Sequence, residues 1–104
     1  MALFPVGDLP AEPLLAAAHF HQYVLGRLKP AEDATTLVFA PADHTHRGWR
    51  LAVVQALARR WAPARVNAIA GDDTLAIAAA DAYLAKAPGV TGQYWPLATA
   101  SMED

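Results

Sequence analysis

Apolar positions along this chain recur in two rhythms. Leu14, Ala17, Ala18, Val24, Leu25 and Leu28 follow one another at spacings near three and four, the period of a helix with one apolar stripe. Pro13 suits the first turn of such a helix, where its missing N–H costs nothing, and Lys29-Pro30 ends it. Leu51, Val54, Leu57, Ala58 and Trp61 repeat the rhythm over 46–61, up to the stop at Ala62-Pro63. A third helix is predicted over 74–86, entered through Gly71-Asp72-Asp73 and closed by Pro88-Gly89, with Lys86 favourably placed in its last turn. Between these stretches, Thr35–Phe39 (TTLVF) carries apolar residues in succession, as a buried strand does, and Arg65–Ala70 (RVNAIA) and Gln93–Leu97 read as a second and a last short strand. Residues 1–13 hold Pro5, Pro10 and Pro13, so they form at most a short strand near Leu3–Val6. Residues 98–104 read as a loose tail. Strands alternating with helices predict a parallel sheet with right-handed crossovers. The helices over 14–28 and 46–61 are expected on one face and the helix over 74–86 on the other.

Composition narrows the function classes. With 104 residues there is room for one core, hence a single domain over 1–104. Hydrophobic residues make up 55% and charged ones 17%, which excludes a disordered, solvated chain. A net charge of −2 supplies no basic field, so no nucleic-acid partner is expected. Arg47, Arg50, Arg59, Arg60 and Arg65 read as a solvated or salt-bridged helix face. Without cysteine there is neither a disulfide framework nor thiolate chemistry. His, Arg or Asp interrupts every long apolar stretch, and the start lacks a signal-peptide layout. A cytoplasmic protein with no membrane contact is the expectation.

Two phrases carry a family resemblance. Ala56–Pro63 reads ALARRWAP and leads into RVNAI at Arg65–Ile69; further on, an Ala-rich helix precedes VTGQ at Val90–Gln93. In that order and spacing, residues 47 to 97 resemble the second half of a short-chain dehydrogenase/reductase. The likeness extends weakly back through TTLVFAP, which is similar to the family's active-site strand. It implies a small Rossmann-like three-layer α/β/α domain with a three- or four-stranded parallel sheet.

The departures from the family pattern bear on chemistry. No G-x-G-x-x-G occurs, and too few residues precede Thr35 to build the βαβ unit that would carry one. Setting the family's helix on Ala56–Pro63 without gaps puts Asp43 where a catalytic Tyr belongs and Arg47 at the place of the Lys four residues on. An ionised carboxylate cannot donate the proton a phenol donates. The place of the active-site Ser falls near Ala40-Pro41, which carries no hydroxyl. The resemblance therefore implies no catalytic residue, no cofactor and no dehydrogenase activity.

All four histidines occur in His-x-His pairs, His19/His21 and His44/His46. Positions two apart on a helix point about 200° apart, so the first pair cannot serve one ion. His44 and His46 could converge with Asp43, but capping and interface roles explain these residues without a metal, and none is expected. Turns that follow parallel strands lie at the carboxyl edge of a sheet, where ligands bind. Asp43, His44, His46, Arg47, Asp72 and Asp73 could share a polar rim there; helix capping accounts for the carboxylates alone. The leading expectation is association. Phe20, Tyr23 and Val24 on the first helix, with Trp49, Val53 and Ala56 on the second, make both helices apolar on more than one side. The family resemblance implies a subunit contact through these helices, so the expected function is a non-catalytic homodimeric interaction or regulatory domain. The alternative is a domain that binds a small polar ligand or metal at the carboxyl edge.

Overall fold

The structure, a computed structural model, describes residues 2–31 and 33–97. Among them run β1 (Ala2–Pro5), α1 (Pro13–His19), β2 (Ala34–Phe39), α2 (Arg47–Arg60), β3 (Arg65–Ala70), α3 (Thr74–Ala85) and β4 (Tyr94–Pro96). The strands lie in chain order in one sheet, each parallel to the next. The fold is thus a small Rossmann-like α/β domain. Residues 1–13 do supply a fourth strand: β1 pairs with β2 from Ala2↔Thr35 to Pro5↔Val38, and the Val6 N–H extends the ladder to the Val38 carbonyl. The expected tail at 98–104 lies outside the described residues.

The first helical stretch departs from a plain α-helix. Glu12 caps α1 by accepting from the Leu15 N–H, and Pro13 occupies the first turn as predicted. At Phe20–Val24 the chain widens into a π-turn, and it closes through a 3₁₀ turn at Leu25–Arg27. The buried residues are Ala16, Phe20, Val24 and Leu28, at uniform spacing of four. A straight α-helix would carry such a row about 40° around its axis at every step. The wider turn cancels that drift, so the row stays on the sheet. The sequence stripe, read at a fixed α period, therefore missed Phe20 and included the exposed Leu14.

One face of the sheet holds the main core. Phe20, Val24, Leu37, Phe39, Val53, Val54, Leu57, Val66, Ala68 and Tyr94 pack there beneath α1 and α2. Phe39 lies 5.9 Å from Phe20, 5.7 Å from Trp49 and 6.2 Å from Tyr94, centroid to centroid. Side chains alternate along a strand, so Arg65, Asn67 and Ile69 point to the other face. There Arg65 Nη1 donates to the carbonyls of Leu84 and Ala87 and anchors the end of α3. The strands advance in one direction, so a helix on the opposite face winds its crossover with the opposite hand. The β3–α3–β4 connection is therefore of opposite hand to the two before it, a correction to the expectation of uniform handedness. The anchoring by Arg65 and the buried Leu84 hold α3 on that side.

Candidate functional site

The carboxyl ends of the strands open into two adjoining hollows. One, of about 270 Å³, lies between the turn at Gly7–Ala11 and the segment Ala40–Asp43, with His46 and Arg50 on its inner side. The other, of about 560 Å³, is lined by Asp43, His44, Arg47, Tyr94, Pro96 and Leu97. Both follow from local sequence. Phe39 ends β2 and Pro41 breaks it. Asp43 then caps the 3₁₀ turn His44–His46 by accepting from the Thr45 N–H at 3.0 Å and from the Thr45 hydroxyl. These two bonds, followed by the nearby His44 and His46, hold the Asp43 carboxyl below its ordinary value of 3.8. The residue in the place of a catalytic phenol is an ionised cap.

His46 is buried and both its ring nitrogens are engaged. Trp49 Nε1–H donates to Nδ1 at 3.1 Å, and Nε2 meets the Ala11 carbonyl at 3.0 Å. An indole only donates and a carbonyl only accepts, which fixes the tautomer with the proton on Nε2. That leaves no ring nitrogen of His46 for a metal, and among the described residues no group of three or more His, Asp or Glu is placed to hold one. His21 bonds to the Ala17 carbonyl through Nδ1, and His19 stacks against Tyr23.

The predicted rim is only partly assembled. Asp43, His44, His46 and Arg47 do line the hollows, but Asp72 and Asp73 line neither. Asp73 is spent on capping α3, accepting from the Leu75 and Ala76 N–H groups. The residue missed in the sequence is Arg50. The sequence pattern groups it with the other arginines on a solvated face, yet it is 3% exposed. Its guanidinium lies 4.5 Å over the Phe39 ring, and Nη1 donates to the Ala40 carbonyl and the Tyr94 hydroxyl. No carboxylate among the described residues bonds to it. A helical period counted from Val53, Val54 and Leu57 would have placed position 50 inside.

Of the six residues expected at an interface, the monomer takes three into its own core: Phe20, Val24 and Val53. Trp49 is half-buried against Phe20 and Phe39, while Tyr23 and Ala56 are exposed. The outer surface between the first helical stretch and α2 keeps a groove of about 440 Å³, lined in part by Leu25, Leu28, Ala56, Leu57, Arg60 and Trp61.

The two phrases behind the resemblance turn out to clasp one another. Asn67, buried in RVNAI, donates to the Val90 carbonyl and accepts from the Gln93 N–H. Thr91 Oγ1 receives the Val66 N–H, and the Gly92 N–H reaches the Val66 carbonyl at 2.7 Å. Gly92 has φ of +75°, a conformation other residues adopt only with strain. Both phrases are therefore fold determinants for the turn into β4. The chain matches the family model described as short chain dehydrogenase-like protein over residues 4–97, nearly its whole length, and belongs to that family. Neither a curated protein nor a solved structure matches it. No described helix is long and apolar enough to cross a membrane.

Proposed function

We propose that this short-chain dehydrogenase-like domain is a cytoplasmic, non-catalytic association module that pairs with a second copy through its two-helix face. The groove between the first helical stretch and α2 carries this reading. Leu25 and Trp61 stay half-buried in it, as residues do that await a further layer. Tyr23 (57% exposed), Leu14 and Leu15 extend the apolar surface along the first helical stretch. An isologous contact would set the same groove of both copies together. The non-catalytic half of the reading is supported by Asp43, whose carboxyl serves as a cap, and by Ala40, whose carbonyl is taken by Arg50. Light scattering after size exclusion should give about twice the 11.1 kDa of the chain. Ala56→Glu, on the exposed side of α2, should return the mass to that of one chain. A wild-type monomer at micromolar concentration would overturn the proposal.

A second reading, a small polar ligand at the carboxyl edge, is favoured by one observation. The smaller hollow there is lined by a buried guanidinium, that of Arg50, to which no described carboxylate bonds.

A further inference from the structure

That second reading can be taken to a ligand class. A guanidinium offers a plane and two usable forks, one formed by Nη1 and Nη2 and the other by Nε and Nη2. In Arg50 the plane is covered by the Phe39 ring at 4.5 Å, with Trp49 and Tyr94 at 5.8 and 6.0 Å. Nη1 has two acceptors, the Ala40 carbonyl and the Tyr94 hydroxyl. Nη2 has none among the described residues, and Nε is buried with no partner. Leaving a charged donor unsatisfied inside a protein is costly, so native structures rarely do it without a use. The side chain lines the 270 Å³ hollow between Gly7–Ala11 and Ala40–Asp43.

We infer that the guanidinium of Arg50, through Nη2, is the receptor for a small organic carboxylate entering this hollow. A carboxylate accepts a charge-assisted bond from Nη2 and supplies the missing counter-charge in one group. Asp43 lines the same hollow, and its negative charge weighs against a dianion. Inorganic phosphate is therefore the weaker ligand. The apolar part of the ligand would lie along Leu9, Pro10 and Pro41, which complete the lining. The inference rests on the polar-ligand reading of this edge and is independent of the dimer.

The test uses the full chain and probes that differ in charge but not shape. Amide ¹⁵N–¹H spectra are followed during titration with acetate and benzoate, and separately with acetamide and benzamide. Saturable shifts are expected at Gly7, Ala42 and Asp43. The acids should bind at least about tenfold more tightly than the amides, as a charge-assisted pair requires. Phosphate should bind less tightly than either acid, and Arg50→Met should lose the preference for acids. Should Arg50→Met not fold, the acid–amide comparison on the wild type decides alone. Equal binding of acids and amides would overturn carboxylate recognition while leaving a polar-ligand site in place. Absence of shifts with all four probes would remove both. Shifts confined to the exposed Arg47, Arg59 and Arg60 would show ion adsorption only, and would equally overturn the inference.

Discussion

The two faces of the sheet are built to different standards. Under α1 and α2 the core is aromatic and continuous, with Phe20, Phe39 and Tyr94 interlocked between helices and strands. On the other face, Ile69 and Leu84 are fully buried, while Leu3 and Val38 keep part of their surface in water and Leu75 of α3 is 81% exposed. The thin face compensates with polar fixings, namely Arg65 on the end of α3, Asn67 on the turn into β4, and Asp73 at the start of α3. One face is held by burial that has no direction; the other depends on a few directed bonds. Stability should therefore be concentrated on the first and the conformational specificity of the β3–β4 connection on the second.

The sharpest way to break this contrast is to truncate each face at its centre. Phe39→Ala should cost about 3–5 kcal/mol in urea unfolding, a large share of the roughly 5–15 kcal/mol that holds a domain together. Leu84→Ala should cost about 2 kcal/mol, at the low end for a buried leucine because the open surroundings can close over the gap. Equal losses would mean that the thin face carries as much stability as the thick one. Asp73→Ala removes the cap of α3 and should cost about 1 kcal/mol, with hydrogen exchange accelerating in α3 before α2.

The smallest effect is electrostatic and lies at the carboxyl edge. The Asp43 carboxyl should titrate below 3.8, and Thr45→Val should raise its midpoint by removing the hydroxyl bond. Because folding lowers this pKa, its contribution is present in full above the unfolded value. It fades as pH falls through the folded value. Carboxyl NMR of the two proteins checks both midpoints; an unchanged midpoint in the variant would mean the backbone bond alone sets it.

Much of this architecture was legible along the chain, because β2, β3 and α3 rest on local patterns that tertiary contacts did not override. Asp43 and Asp73 were recognisable as caps from their place after a strand and before a helix. What stayed hidden depended on contacts between distant segments. Arg50 reads as solvated until Phe39 and Tyr94 are placed around it. Asp72 and Asp73 look like partners of Asp43 until the α3 cap claims Asp73 and neither is found in the lining of the hollows. Phe20, Val24 and Val53 looked like an interface because an apolar helix face announces burial without saying by which surface.

The π-turn at Phe20–Val24 has a consequence for how the length of this chain can change. Such a turn is an α-helix with one residue added, and Gln22 within it is exposed. Deleting Gln22 would convert the buried spacing of four, four and four into four, three and four, which a regular α-helix also keeps on one face. The loss would be absorbed where it occurs. In α2, deletion of the equally exposed Gln55 would instead turn Leu57 by about 100° relative to Val53 and Val54, away from the sheet. The melting temperature should fall far less for the first deletion than for the second, which makes the first helix the place where the chain can shorten and still fold.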